Sequence, residues 1–179
     1  MELSEAIQLI NGADLDAGRP VTWADLGCGK GIFTRALAVL LPEGSTLYAV
    51  DKIAQQAILN PDLKTDIIAL QADFVNEFLP LPPLDGVLMA NSLHYVADKH
   101  SLLKKLKHHF LREEKYIIVE YDTMNSNPWI PYPVDFDHLK DLFYEAGLKQ
   151  ITRVGEKRSI YRRENLYTCF IRNIPPDHP

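Results

Sequence analysis

The chain has 179 residues, of which 46% are hydrophobic and 24% are charged. One domain with a single sizeable core normally accounts for this length. The longest apolar runs are strand-sized, far short of the ~20 residues that cross a bilayer, and the first residues lack a signal-peptide pattern. Cys28 and Cys169 have neither disulfide-framework nor metal-ligand spacing. We therefore expect a single domain over residues 1–179, cytoplasmic, with no membrane attachment and no metal.

The net charge of −5 argues against a nucleic-acid partner, because phosphate binding depends on clustered Lys and Arg. The charge is unevenly distributed, with acids in excess in residues 1–98 and bases in excess in residues 99–179. The bases gather in segments 99–112 and 153–172. Two interpretations stay open for these segments: solvated faces, or a patch that meets an acidic substrate.

Strand-like apolar runs alternate with helical patterns along the chain. Helices are predicted over residues 3–10, 32–41, 54–59, 101–111 and 137–146. Strands are predicted over residues 21–26, 46–50, 66–72, 84–90, 116–120, 148–154 and 166–172. Strand–helix alternation implies a parallel sheet with helices on both faces. The last two strands have no helix between them, so they form an antiparallel pair. The predicted fold is an α/β, doubly wound, seven-stranded, mostly parallel sheet with a C-terminal antiparallel edge hairpin.

The loop after the first predicted strand contains three glycines spaced by single residues, in Gly27-Cys28-Gly29-Lys30-Gly31. Ligands of such sheets bind at the carboxyl ends of the strands. The dinucleotide fingerprint requires glycine or alanine where Ile32 stands, and a phosphate-binding P-loop requires Gly-Lys-Ser/Thr. Neither the dinucleotide fingerprint nor the P-loop pattern is present in this loop. Asp25 precedes the loop, and its carboxylate would repel a phosphate but attract a cationic ligand.

This loop resembles the first motif of class I S-adenosylmethionine-dependent methyltransferases. Later segments are similar to that family's next three motifs, in the same order: Val50-Asp51, Ala72-Asp73-Phe74 and residues 85–95. The resemblance covers about residues 20–172. It implies S-adenosylmethionine as methyl donor and co-substrate, a Rossmann-like fold and no metal.

The resemblance also implies a set of residues that bind the donor. These are Asp25, Gly27, Cys28, Gly29, Asp51, Lys52, Ile53, Ala72, Asp73, Phe74, Asn91 and Ser92. Asp25 would lie near the methionine portion, Asp51 would bind both ribose hydroxyls, and Asp73 would accept from the adenine amino group. Phe74 and Ile53 would flank the adenine ring, and Asn91 and Ser92 would lie near the sulfonium. The alternative for each of these polar residues is an ordinary strand-end cap or turn residue.

A general base would accelerate transfer to a hydroxyl or a protonated amine. His94, Tyr95 and Glu120 are the candidates, because they follow the fourth and fifth predicted strands. Histidine is the side chain type whose unperturbed pKa lies in the useful pH range, which favours His94. The alternatives are a surface histidine and a strand-end carboxylate bonded to backbone.

Residues 122–136 connect the fifth strand to its next helix, and their stretch 127–133 contains three prolines and two aromatic residues, Trp129 and Tyr132. Long loops in compact domains are usually functional or disordered. We interpret this segment as a semi-rigid flap over the acceptor site. The competing interpretation is that Trp129 and Tyr132 anchor a connector to the core.

The sequence favours a methyltransferase that acts on a small molecule. The alternatives are a donor-binding regulatory or partner subunit without catalysis, and a protein or RNA methyltransferase. About 20 residues precede the first strand, which leaves the cleft open to completion by a partner chain, as in a homodimer.

Overall fold

The computed structural model describes residues 1–15, 18–54, 64–110, 113–158 and 165–173. Its helices are α1 (Leu3–Ile10), α2 (Ile32–Leu40), α3 (Lys99–Lys107) and α4 (Phe136–Glu145), with a short 3-10 helix at Leu93–Tyr95. Its strands are β1 (Thr22–Leu26), β2 (Thr46–Asp51), β3 (Asp66–Gln71), β4 (Gly86–Ala90), β5 (Lys115–Tyr121), β6 (Gln150–Lys157) and β7 (Leu166–Arg172). Within these residues, no helix is both long and apolar enough to cross a membrane.

All seven strands form one sheet in the order β3-β2-β1-β4-β5-β7-β6. Strands β1 to β5 pair in parallel, whereas β7 runs antiparallel to both β5 and β6. The predicted mostly parallel sheet with an antiparallel C-terminal hairpin is confirmed. The strand order reverses direction between β1 and β4, and such a switch point opens a crevice at the carboxyl ends of the strands.

Side chains on the two faces of the sheet contribute to two separate apolar clusters. One cluster packs α1 and α2 against residues such as Trp23, Leu88 and Ile117. The other packs α3 and α4 against residues such as Met89 and Ile118. Successive strand residues alternate between the two clusters, as the period of two in a pleated strand requires. The fully buried runs of β4 and β5 follow from this two-sided cover.

The predicted element boundaries differ from the observed ones mainly at α3 and β6. Helix α3 begins at Lys99, directly after its N-cap Asp98, and ends at Lys107 rather than at residue 111. The boundaries of β6 differ at both ends. The strand begins at Gln150 rather than at residue 148, because Leu148 is buried in the cluster under α4. It then extends to Lys157 with an irregularity between Arg153 and Gly155. A Cβ on Gly155 would lie 2.2 Å from the backbone oxygen of Leu9, so this glycine allows α1 to approach the strand closely. The predicted helix 54–59 lies outside the described residues from position 55 onward, as does residue 111 of the predicted helix 101–111.

Candidate active site

A cavity of about 840 Å3 opens at the carboxyl ends of the parallel strands. This volume lies within the range of sites for small ligands and cofactors. The described residues that line it are Met1, Gly27, Cys28, Gly29, Ile32, Phe33, Asp51, Lys52, Ile53, Asp73, Phe74, Val75, Asn76, Ala90, Asn91, Ser92, Tyr95, Tyr121, Lys157, Arg158 and Leu166. Ten of the twelve predicted donor contacts are among them; Asp25 and Ala72 are not.

The glycine loop forms the floor of this cavity. Gly27 has a positive φ of 80°, and its N–H donates to the carbonyl of Val50 at 2.8 Å. A Cβ at this position would lie 2.6 Å from the Cβ of Ser92, so a larger residue would collide with the turn after β4. The Gly29 N–H donates to Oδ2 of Asp51 at 2.9 Å. The loop is thereby tied to the ends of β2 and β4, and its backbone is exposed to a ligand.

Asp51 stands at the end of β2 and lines the cavity. Oδ2 accepts from Gly29, and Oδ1 accepts from the Ile53 N–H at 2.9 Å. An ionised carboxylate has about four acceptor sites, so two remain for ligand hydroxyls. The geometry therefore fits a pair of ribose hydroxyls, and it also shows that Asp51 has a structural role in holding its loop.

Asp73 and Phe74 follow β3 and reach the same cavity. The Asp73 carboxylate accepts from the backbone N–H groups of Val75 and Asn76 and from the Asn76 side chain. The bond from the Asn76 side chain is the main reason that the pKa of Asp73 lies below its usual range. Asp73 thus caps the turn after β3, as the alternative interpretation held, while it also lines the cavity. Phe74 and the exposed Ile53 offer apolar surface there.

Asp25 lies beneath the cavity rather than on its wall. Only 1% of its surface is exposed, Oδ2 accepts from the Thr34 hydroxyl at 2.6 Å, and Oδ1 is buried without a hydrogen-bond partner in the described part of the chain. Burial is the largest cause of a pKa raised to about 7, and the nearby Asp51 charge adds to it. Asp25 does not line the cavity, so its predicted place near the methionine portion of the donor stays a prediction.

Asn91 and Ser92 form a strained turn directly after β4. Asn91 has a φ of 55°, a left-handed conformation that costs free energy in residues other than glycine. Its Oδ1 is buried without a hydrogen-bond partner in the described structure, although the residue lines the cavity. The Ser92 hydroxyl donates to the Leu26 carbonyl at 2.6 Å. The turn therefore holds one unused acceptor, Asn91 Oδ1, beside the glycine loop.

The structure brings together two of the three candidate catalytic residues, His94 and Glu120. Nδ1 of His94 lies 2.6 Å from Oε2 of Glu120, and Oε1 of Glu120 accepts from the His94 backbone N–H at 3.2 Å. The exposed fractions are 3% for His94 and 1% for Glu120, and neither residue is on the described cavity wall. Tyr95, the third candidate, is 53% exposed and lines the cavity, and its ring packs against the His94 ring at a centroid distance of 4.4 Å and an interplanar angle of 50°. Tyr95 therefore lies at the cavity wall, with the buried pair beside it.

The loop between β5 and α4 packs beside the His94 pair, and none of its described residues lines the cavity. Its core anchors are Ile130 and Val134, both buried, whereas Trp129 is 67% exposed. Trp129 is therefore no core anchor. The backbone N–H of Tyr132 donates to the His94 carbonyl at 3.0 Å, and Lys99 donates to the Tyr132 carbonyl at 2.9 Å. The predicted flap over the acceptor site stays a prediction.

Four bases of the two basic segments form ion pairs with acids: Lys107 with Glu114, Arg153 with Asp122, Lys157 with Glu5 and Arg172 with Asp14. In the segment 99–112, Lys99 and Lys105 donate to backbone carbonyls instead. These bonds favour the solvated-face interpretation for the residues that form them. Lys157 and Arg158 differ from the rest because they also line the cavity.

The sequence did not predict the contribution of the C-terminal hairpin to the cavity. Lys157, Arg158 and Leu166 come from the adjacent ends of β6 and β7. Their position depends on the antiparallel register, which pairs Leu166 with both Tyr121 and Lys157. Only a prediction of strand order and register together could have found them. No group of three or more potential metal ligands occurs among the described residues.

The protein family described as "Methyltransferase domain" matches residues 24–118, more than half of the chain. The chain belongs to this family. The protein is a class I S-adenosylmethionine-dependent methyltransferase, as its motifs predicted. No curated protein sequence matches the methyltransferase.

Solved structures share the methyltransferase fold at low sequence identity. The Burkholderia thailandensis 1,6-didemethyltoxoflavin-N1-methyltransferase is 17% identical with a TM-score of 0.66, covering 97% of this chain and 78% of that one. A SAM-dependent methyltransferase from Aquifex aeolicus is 18% identical with a TM-score of 0.62, covering 96% of this chain and 98% of that one. Human N-acetylserotonin methyltransferase is 19% identical with a TM-score of 0.67, covering 96% of this chain and 52% of that one.

Proposed function

We propose that this methyltransferase transfers the methyl group of S-adenosylmethionine to a small-molecule acceptor. The main support for the proposal is one continuous cavity of about 840 Å3, whose wall extends from the glycine loop to Tyr121 and the C-terminal hairpin. That volume suits a nucleoside-type donor and a compact acceptor side by side. The Burkholderia thailandensis neighbour binds the small molecule 1,6-didemethyltoxoflavin together with S-adenosylhomocysteine, which agrees with this class of substrate.

The donor would occupy the half of the cavity formed by the ends of β1, β2 and β3. Asp51 would accept from both ribose hydroxyls, and Asp73 with Phe74 and Ile53 would hold the adenine. Asn91 lines the cavity directly after β4, beside the position proposed for the sulfonium, and its buried Oδ1 has no hydrogen-bond partner among the described residues. The bound donor supplies an activated methyl group on a sulfonium. The protein contributes alignment and exclusion of water, the proximity effect worth up to ~7–11 kcal/mol.

The reaction is a displacement at the methyl carbon. A lone pair of the acceptor forms the new bond to that carbon, and the sulfur–carbon bond breaks with its electron pair going to sulfur. A proton carried by the acceptor hydroxyl or amine must leave. Because Nδ1 of His94 is bonded to Glu120, Nε2 is the ring nitrogen left to accept this proton. We propose that Tyr95 contacts the acceptor, His94 acts as the base and Glu120 is the positioning residue that fixes the tautomer.

The test is incubation of the purified protein with methyl-labelled donor and separate small-molecule, protein and RNA fractions of a cell extract. We expect label in the small-molecule fraction and formation of S-adenosylhomocysteine in proportion. Label confined to protein or RNA would contradict the small-molecule assignment. Binding of the donor without any labelled product would count against turnover by this chain alone.

A further inference from the structure

The cavity has a second half that none of the donor motifs forms. Asn91 donates its N–H to Val119, so the end of β4 lies beside that of β5. Tyr121 at the end of β5 pairs with Leu166 of β7, which pairs with Lys157 of β6. Adjacent strands are about 4.8 Å apart, so these side chains form one continuous edge. This edge, Tyr121–Leu166–Lys157 with the following Arg158, we call the hairpin wall.

The two halves of the cavity differ in charge. The donor half contains two acids, Asp51 and Asp73, and one base, Lys52. The hairpin wall contains two bases, Lys157 and Arg158, and no acid among the described residues that line it. Cationic groups at this wall would repel the sulfonium end of the donor. The wall is therefore suited to a second ligand of opposite charge.

Arg158 is the residue at this wall that remains available to such a ligand. Lys157 forms an ion pair with Glu5 of α1 at 2.6 Å, so its charge is already balanced. Arg158 is exposed, and no ion pair or hydrogen bond from it occurs within the described residues. A guanidinium presents several N–H donors in a planar fork that matches the oxygens of a carboxylate or a phosphate.

The same half of the cavity offers aromatic surface. Tyr95 is 53% exposed at the cavity wall, and Tyr121 packs partly buried against the cluster under α1. Aromatic rings provide a large contact area for an apolar or planar group. The second half thus combines aromatic side chains with a cation at one end, Arg158, that has no acidic partner in the described part of the chain.

Resting on the proposed function, we infer that the methyl acceptor is a small organic oxyanion, a carboxylate or phosphate carried on an apolar or aromatic body. Arg158 of the hairpin wall binds the anionic group, and Tyr95 and Tyr121 contact the body. The nucleophile of the acceptor then lies toward the Asn91–Tyr95 turn, where the donor and acceptor halves meet. Arg158 is a specificity-determining residue and takes no part in the chemistry.

The experiment uses the full chain, methyl-labelled donor and one small-molecule extract separated by ion exchange into anionic, cationic and unretained fractions. We expect methyl transfer with the anionic fraction, at least tenfold above the other two. Arg158→Gln should lower kcat/KM with that fraction by about 10- to 100-fold, mainly through KM, because it removes hydrogen bonds to a charged group. Arg158→Lys, which keeps the charge but not the fork, should recover part of the loss.

The matched control is Lys149→Gln, which removes one positive charge just before the opposite end of β6. This variant should behave as the wild type. The binding of S-adenosylhomocysteine should be equal in all three variants. Phosphatase treatment of the anionic fraction separates the two sources of charge, since loss of acceptor activity identifies a phosphate and its survival identifies a carboxylate.

Transfer from only the cationic or unretained fraction would overturn the inference and leave the proposed function standing. Equal activity of Arg158→Gln and wild type with the anionic fraction would also overturn it. If no fraction is methylated although S-adenosylhomocysteine binds, the proposed function fails and this inference fails with it.

Discussion

The two halves of the cavity are built in different ways. The donor half comes from short segments that directly follow β1, β2 and β3, and each segment has a recognisable sequence motif. The acceptor half comes from Tyr95 in the turn after β4, from the ends of β5, β6 and β7 and from Met1. Apart from Tyr95, these lining residues belong to none of the four motifs. A domain organised in this way can keep one donor site while its acceptor site changes, since function resides in sites carried by a common fold. Substitutions in one half should therefore leave the function of the other half intact.

The largest effect is expected from Glu120→Gln, which acts on the acceptor half. The glutamine NH2 would donate to Nδ1 of His94, so the ring proton would move to Nε2 and that atom could no longer accept a proton. We expect kcat to fall ~100- to 10,000-fold with donor affinity unchanged within about threefold. The measurement is turnover of labelled donor with the active extract fraction, together with calorimetry of S-adenosylhomocysteine binding.

Glu114→Gln provides the control for that experiment. Glu114 is also a buried carboxylate, but it lies just before the opposite end of β5. The Glu114→Gln variant should retain wild-type turnover. If Glu120→Gln and Glu114→Gln have the same activity, the base assignment of His94 is wrong and the pair only holds the turn after β4.

Asp51→Ala should affect the donor half alone. The carboxylate would lose two ligand hydroxyls, and hydrogen bonds to charged groups are worth ~1.5–3 kcal/mol. Donor affinity should fall about 10- to 150-fold by calorimetry. The variant should also lose a few degrees of melting temperature, because Gly29 and Ile53 lose their hydrogen-bond acceptor.

The loss of stability needs its own control, and Asp85→Ala supplies one. Asp85 accepts from the Thr22 N–H at 2.8 Å at the amino-terminal edge of the sheet, far from the cavity wall. The Asp85→Ala variant should lose a similar amount of stability, while its donor affinity should stay within about threefold of that of the wild type. Unchanged donor affinity in Asp51→Ala would show that Asp51 serves only as a structural cap.

The buried carboxyl group of Asp25, which lies beneath the donor half, should make the stability of the protein depend on pH. Its pKa in the folded protein, about 7, lies above that of an unfolded aspartate, so the native state binds the extra proton between roughly pH 4 and 7. The stability from this group is fully present below the unfolded pKa and is lost as the pH rises through 7, by about 1.4 kcal/mol per pH unit across that window. Denaturant titrations of the ligand-free protein at several pH values should show this slope, and Asp25→Asn should flatten it. Identical pH dependence in the two proteins would mean that Asp25 is ionised when buried.

The smallest effect is expected from Trp129→Ala, which lies on neither half of the described cavity wall. Because Trp129 is 67% exposed, truncation should cost about 0.5 kcal/mol or less, a shift of roughly 1–2 °C in melting temperature. Ile130→Ala, in the same loop, is the buried counterpart and should cost ~2–5 kcal/mol. If Trp129→Ala slows methyl transfer while the affinity for the donor is unchanged, the flap interpretation of residues 122–136 is supported.

The sequence by itself determined the class of fold, the element order and most of the donor half. Those features depend on local patterns: a buried strand, a glycine loop and an acid at a strand end each occupy a few consecutive residues, as in Asp51 after β2. Tertiary structure decided the rest. Glu120 meets His94, and Lys157 and Arg158 reach the cavity, only through the strand order and the antiparallel register of β5, β7 and β6. Burial also distinguished Asp25, which lies beneath the wall, from Tyr95, which lies on it. Contacts between distant segments depend on how whole elements pack, and local periodicity carries no information about that packing.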